Sequence, residues 1–151
     1  MISLGIFVTE LRKINKIKST SSQIFKFKKK SKLKEEIYHS ILENLDSWEM
    51  QNGFLDNTIT LQSLAKVLNT NTSYLSSTIN TLKGKNFACY LKNVRINYAI
   101  NHIMENPEII KSKSMIQIAE MYGFNSTGVF TQAFKEKIGV TPGLFFKRIS
   151  A

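Results

Sequence analysis

The sequence predicts an all-α fold in which two helix-turn-helix subdomains are joined by a long linker helix and preceded by an acidic amphipathic helix. Three observations predict it. First, the apolar positions recur at helical spacing over most of the chain from Leu33 onward. Second, the last two-thirds repeats itself: Leu64-Ala65 matches Ile118-Ala119 at an offset of 54, and Leu75, Ile79, Gly84 and Tyr90 match Phe130, Phe134, Gly139 and Phe145 at an offset of 55. The extra residue falls in the short Asn- and Gly-bearing break, where an insertion is cheap. Third, each copy has a helix with Ala at its centre, a short turn, and a second helix closed by a Gly five residues after its last apolar anchor.

Residues 1–34 read as a basic arm, with ten Lys/Arg against Glu10 and the run Lys26-Phe27-Lys28-Lys29-Lys30. Met1 to Val8 is apolar but too short to span a bilayer, and it lacks a cleavage-site pattern. The arm reads as a solvated linker, with a minor-groove arm or an anionic-lipid contact as sharper alternatives. Residues 35–56 carry six acids and no Lys or Arg. Here Leu33, Ile37, Ile41, Leu45 and Trp48 form one helical face, expected to pack on the first repeat with the acids turned to water. Gln51-Asn52-Gly53 ends this helix, with Gly53 suited to a left-handed cap.

The first helix-turn-helix is expected at about 60–82. Thr60 caps it, Leu61, Leu64, Ala65 and Leu68 form the buried stripe, and Asn69-Thr70-Asn71 makes the turn. In the next helix Leu75 and Ile79 face inward. Ser73, Tyr74, Ser76, Ser77 and Asn80 are left outside as a polar face without charge, which suits hydrogen bonding to base edges. The linker helix, about 87–104, is lined by Phe87, Tyr90, Leu91, Val94, Ile96, Ala99, Ile100 and Ile103, and Asn106-Pro107 stops it. At 1.5 Å per residue it spans about 27 Å, which together with the width of the helices it carries can hold two reading helices near one DNA turn, about 34 Å, apart.

The second helix-turn-helix, about 114–137, opens on Ser114 and Gln117 at capping-box spacing. Ile116, Ile118, Ala119 and Tyr122 follow, Gly123-Phe124 turns the chain, and Asn125 or Ser126 caps the second reading helix. Val129, Phe130, Ala133 and Phe134 are expected inside, leaving Thr127, Gly128, Thr131 and Gln132 outside. A closing helix, 142–148, starts with Thr141 as cap and Pro142 at its first position, and packs through Leu144 and Phe145. Residues 57–151 thus form one two-headed domain.

The net charge of +10 is unevenly placed: residues 57–104 hold five basic residues and no acid. A uniformly basic first repeat suits a phosphate-facing surface. Candidate phosphate contacts are Thr72, Lys83, Lys85, Lys92, Arg95, Ser126, Lys135 and Lys137. Candidate base readers are Ser73, Tyr74, Ser76, Ser77 and Asn80 in the first head and Thr127, Thr131 and Gln132 in the second. Other chemistry is poorly supplied. Cys89 is a lone cysteine, so no disulfide forms within the chain, and a reducing, cytoplasmic setting fits. His39 and His102 have no partners at metal-ligand spacing, and neither a catalytic triad, a carboxylate pair nor a phosphate-cradling loop is present. The expectation is a protein that is no enzyme, needs no cofactor or metal, and has no transmembrane segment. Phe130 and Phe134 read as core rather than as a stacking platform.

Ile118-Ala119, Gly123-Phe124, Phe130, Phe134-Lys135, Gly139 and Thr141-Pro142 resemble the signature of the AraC/XylS family of bacterial transcription regulators. Leu64-Ala65, Leu75, Gly84, Phe87, Tyr90-Leu91 and Arg95 resemble the first half of the same domain, so the likeness covers about residues 58–148. The stretches Ile37–Trp48 and Leu68–Ser76 resemble the subgroup common in Bacteroidetes, where the module ends larger hybrid sensor regulators. The resemblance implies a seven-helix, homeodomain-like fold that places two recognition helices in successive major grooves of duplex DNA, with RNA polymerase as a further partner. Where the family often has Arg on the reading helices, this chain has Ser77 and Gln132. Gln pairs with adenine, so an A/T-leaning site is expected. Gly128 removes a side chain from the second reading helix, so that head is expected to dock more than it discriminates. An arm of 34 residues houses no small-molecule sensor, so either the protein is a short constitutive regulator or a partner or an upstream region supplies the signal. The rival reading is a protein-interaction or acidic-membrane-surface module, or a nonspecific DNA binder.

Overall fold

The computed structural model describes residues 32–150. Residues 1–31 of the basic arm, with the run Lys26-Phe27-Lys28-Lys29-Lys30, lie outside them, as do the side chains of Lys32 and Leu33, whereas residues 32–34, expected in the arm, open the first helix. Among the described residues every regular element is helical: α1 (Lys32–Met50), a 3-10 turn (Gly53–Leu55), α2 (Leu61–Val67), α3 (Thr72–Lys83), α4 (Phe87–Glu105), α5 (Glu108–Ser112), α6 (Met115–Met121), α7 (Thr127–Ile138) and α8 (Pro142–Ile149). The all-α class is therefore as the periodicity predicts, with seven helices after the acidic one. None of the described helices is long and apolar enough to cross a membrane. The chain divides into two compact units that cut it differently from the expected segments. The described residues up to Met50 go with Thr60–Phe87, and Gln51–Ile59 go with the chain from Ala88 onward.

In the first unit α1 packs against α3, and α2 against α3. Ile41, Leu45 and Trp48 supply the buried stripe of α1, while Leu64, Ala65, Leu68, Leu75, Ile79 and Leu82 supply the rest. Thr78 is the buried polar residue here, and its hydroxyl is satisfied within the helix by donating to the Tyr74 carbonyl at 2.7 Å. The acidic face of α1 is only partly turned to water. Glu36 and Glu43 are exposed, but Glu49 is largely covered and lies 3.6 Å from Lys83 Nζ. Asn44 adds a bond from Nδ2 to the Leu68 carbonyl at 3.4 Å. The left-handed residue after α1 is Asn52 (φ 58°), not Gly53. Asn is the side chain that best tolerates this region, and Gly53 instead opens the 3-10 turn closed by Leu55 N to Asn52 O at 3.0 Å.

The second unit is built on α4. Ile96, Ala99, Ile100 and Ile103 meet Ile109, Ile118, Ala119, Tyr122, Phe124, Phe130, Ala133, Phe134 and Phe146 in one core. Phe87 and Val94, expected to line α4, are only half-buried. Tyr122 donates to or accepts from His102 Nδ1 at 3.0 Å, and burial pushes its phenol well above the ordinary tyrosine range. Helix α5 was not foreseen: after Asn106-Pro107 stops α4, the chain makes one further turn that buries Ile109. Two inward assignments, Val129 and Leu144, are corrected, and Ile116 likewise lies outside. Ile116 is 61% exposed, Val129 52% and Leu144 43%. In α8 the buried face is Pro142, half-buried Phe145 and Phe146, at i, i+3 and i+4. Three consecutive apolar residues, Leu144-Phe145-Phe146, leave the phase of so short a helix open until Pro142 is placed.

Residues 51–59 form a strap within this unit, and Arg95 holds it. The Arg95 side chain is buried, with Nε donating to the Phe54 carbonyl at 2.6 Å and Nη2 to the Asp56 carbonyl at 2.7 Å. Arg95, expected to face phosphate, thus gives Nε and Nη2 to backbone carbonyls of its own chain. Burial lowers its pKa, with Asp56 opposing, yet a guanidinium stays charged. The Asp56 carboxylate accepts from Thr58 N at 2.8 Å and Thr58 Oγ1 at 2.6 Å, which hold it below its usual range and tighten the bend. Phe54 is buried with its ring edge-on to Tyr98, centroids 5.4 Å apart.

Replacing Arg95 by Ala would leave two carbonyls without their charged donor. Urea unfolding of Arg95→Ala is expected to show a loss of about 2–3 kcal/mol. A change below about 0.5 kcal/mol, normal for a solvated surface cation, would mean that the strap does not depend on it.

Candidate nucleic-acid interface

The two helix-turn-helix units are built from the same hydrogen bonds. Thr60 Oγ1 accepts from Ser63 N while Ser63 Oγ accepts from Thr60 N, and Ser114 and Gln117 make the same reciprocal box ahead of α6. At the end of α2, Asn69 N bonds Lys66 O at 3.1 Å and Thr70 N bonds Ala65 O at 2.8 Å. At the end of α6, Gly123 N bonds Glu120 O at 2.9 Å and Phe124 N bonds Ala119 O at 3.0 Å. Each pair reverses the chain through one left-handed residue, Asn69 (φ 53°) or Gly123 (φ 80°), and satisfies the carbonyls the helix would leave open.

The reading helices then start on Asn71, whose side chain accepts from Tyr74 N, and on Ser126, which accepts from Val129 N. Both end on a left-handed glycine, Gly84 or Gly139. The offset changes from 54 to 55 inside the second turn, and the extra residue is Asn125. Its Nδ2 donates to the Asn57 carbonyl of the strap at 3.2 Å. Gly123 is also enclosed by that strap: a Cβ there would lie 2.8 Å from Arg95 Nε and 2.9 Å from the Leu55 carbonyl oxygen.

On α3, Ser73 and Asn80 are exposed, whereas Tyr74, Ser76 and Ser77 are half-buried. At Ser77 the reason lies 39 residues away and leaves no local pattern: the Tyr38 hydroxyl of α1 sits 3.2 Å from Ser77 Oγ, and its ring stands edge-on to Tyr74 at 6.1 Å. On α7, Gly128 and Gln132 are exposed, and Thr127 and Thr131 half-buried. Val129, expected inside, is on this outer surface at the position matching Tyr74. It was missed because it adjoins Phe130, and two adjacent apolar residues do not reveal which one faces the core.

The basic candidates separate into paired and open groups. Lys83 faces Glu49, and Lys92 Nζ donates to Glu136 Oε2 at 2.8 Å. Glu136 Oε1 in turn accepts from Gln132 Nε2 at 3.0 Å. Lys92 and then Gln132 hold the Glu136 carboxyl below the usual range, while that carboxylate raises Lys92. Lys85, Lys135 and Lys137 are exposed. Thr72 is the first residue of α3, half-buried after its cap, and Ser126 is itself the cap of α7. Among the described residues no three His, Cys, Asp or Glu side chains gather as a metal site. Cys89 is half-buried, with Asn93 Nδ2 at 3.6 Å from its sulfur.

The strap makes the left-handed glycines Gly123 and Gly139 unequal. Gly139→Ala meets no neighbouring atom within 4 Å and should cost only its backbone strain, about 1–2 kcal/mol. Gly123→Ala is expected to cost at least about 1 kcal/mol more in thermal or urea unfolding, since strap and guanidinium must move. Equal costs would contradict the packing described.

A family model described as a helix-turn-helix domain matches residues 64–148. No curated protein sequence gives a significant match. Among solved structures, the C-terminal domain of AraT, a response regulator from Geobacillus stearothermophilus, is similar at 26% identity and a TM-score of 0.55, over 72% of this chain and 84% of that one. A protein of unknown function from Listeria innocua is similar at 24% identity and a TM-score of 0.57, over 70% and 94%. The C-terminal domain of the two-component response regulator yesN from Fusobacterium nucleatum shares the fold at 23% identity and a TM-score of 0.54, over 70% and 97%. With more than half of its length matched and its two turns built alike, the chain belongs to the AraC-type helix-turn-helix family of DNA-binding transcription regulators.

Proposed function

We propose that this protein recognises specific duplex DNA sequences by placing α3 and α7 in successive major-groove segments. One observation carries the reading. Two helices are delivered by matching turns, caps and left-handed closures, and each leaves small polar side chains outside. A reading helix needs such a surface to approach base edges closely. Ser73 and Asn80, with Tyr74 and Ser76, are the readers assigned to the first head, and Ser77 contributes only as far as Tyr38 releases it. Gln132 and Thr131, with Thr127, are assigned to the second. Val129 joins them, since an exposed aliphatic side chain suits a thymine methyl. Lys85, Lys135 and Lys137, with the helix starts at Thr72 and Ser126, are assigned to phosphates.

The pairing of Lys83 and Lys92 and the burial of Arg95 weigh against a binder that relies on phosphates alone, because they thin the free positive charge near the heads. They weigh equally against an acidic membrane surface as the principal target. The response-regulator name of the AraT relative supports a role as an output module whose signal comes from a sensor region or partner. RNA polymerase is the downstream partner this reading assigns.

The test is selection from random duplexes with the full chain at about 150 mM salt, beside Gln132→Ala and Asn80→Ala. The expected result is a bipartite motif with halves about one turn apart, A/T-leaning where Gln132 reads, and relaxed in one half by each variant. Enrichment of no motif, with affinity falling evenly across sequences as salt rises, would overturn the proposal.

A further inference from the structure

We infer that Glu136 is a specificity-positioning residue: it orients the Gln132 amide so that the second head favours adenine. The inference rests on the DNA-reading function proposed above and adds a determinant outside the reading positions. Glu136 is the residue four beyond Gln132, one turn further along α7. Its two oxygens are used separately, Oε1 by Gln132 Nε2 at 3.0 Å and Oε2 by Lys92 Nζ at 2.8 Å.

A carboxylate can only accept hydrogen bonds, so it admits the Gln132 amide in one orientation. The flipped amide would set oxygen against oxygen. With one N–H given to Glu136, the amide retains its second N–H and its carbonyl oxygen, side by side. That donor–acceptor pair is what adenine N7 and N6 accept and donate in the major groove. Guanine offers two acceptors there and can satisfy only half of it. Orientation before binding also spares the rotamer entropy that a free glutamine loses on contact.

Lys92 makes the arrangement compatible with DNA. An isolated carboxylate on a groove-facing helix would repel phosphates, but here it is compensated by a cation from α4 at 2.8 Å. The pairing has a cost in the other direction, because Lys92 is held away from the phosphates. Substituting Glu136 therefore changes two readouts in opposite senses: base discrimination falls, while phosphate attraction rises.

The experiment measures binding of the full chain to the duplex selected by the wild type and to duplexes changed at one base pair at a time. The pair read by Gln132 is the one at which Gln132→Ala relaxes. At that pair, Glu136→Gln is expected to reduce adenine preference about fivefold or more, the lower range for a bidentate side-chain–base contact. A neutral amide can donate to the flipped Gln132 as readily as accept from the other form. The dependence of log affinity on log salt should steepen by about one phosphate contact as Lys92 is released. Glu136→Gln combined with Gln132→Ala should lose no more discrimination than Gln132→Ala alone. Lys92→Met, which keeps the Glu136–Gln132 bond, should leave the preference in place.

All four variants in the test can be followed by thermal unfolding, so a folding defect is separable from a change in preference. A wild-type preference that survives Glu136→Gln intact would overturn the inference and leave the proposed function standing. A wild type without preference at any base pair would overturn both.

Discussion

A helix-turn-helix works only if the chain reverses within three or four residues and leaves no backbone group unpaired, because the helices it joins must pack tightly at their crossing. In this protein one left-handed residue per copy meets that constraint, Asn69 in the first and Gly123 in the second. Around each, two backbone bonds close the preceding helix and a side-chain cap opens the next. Ala65 and Ala119, both buried, are small enough for the second helix to cross closely. The outward placement of Ser73 and Asn80, or of Gln132, follows from that reversal: a different turn angle would rotate the reading face away from its exposed side.

The two copies meet the constraint with different support. The first uses Asn69 in a turn whose reading helix is flanked by α1, and Tyr38 reaches Ser77 and Tyr74 from there. The second is covered by the 51–59 strap, which Arg95 fixes by two backbone carbonyls. Under the strap even a methyl group at the turn is excluded, so glycine is required twice over, for its φ and for its size. Asn125, the inserted residue, becomes a further tie to the strap. The charge pattern is reshaped as well. A sequence with five bases and no acids over residues 57–104 looks uniformly attractive to phosphate, yet Lys83, Lys92 and Arg95 are each committed to protein groups.

Much of the fold was legible because local chemistry decides it. Thr60, Ser114 with Gln117, Ser126, and Thr141 before Pro142 are cap residues whose preference acts over three or four positions, and each caps where expected. Leu64-Ala65 and Ile118-Ala119 are buried because apolar spacing fixes their face. What escaped detection depends on distant partners or on phase. Arg95 reads as a free cation until carbonyls about forty positions earlier are placed beside it. Val129 and Leu144 each adjoin an aromatic residue that takes the core, and adjacency hides which of the two is inside. Tyr38 reaches Ser77 across 39 residues, and Glu136 meets Lys92 across 44, so neither contact leaves a mark in local pattern. The exposed polar faces of α3 and α7 were therefore visible in outline, whereas the groups that bond to individual side chains on them were not.

The claim that both heads engage DNA together is tested most directly by hydroxyl-radical footprinting of the full chain on its selected duplex. The account predicts two protected patches on one face of the helix, about one turn or 10 base pairs apart, each lost separately when its own reading helix is altered. A single patch, unchanged by substitutions in α3 or in α7, would contradict a two-headed reader.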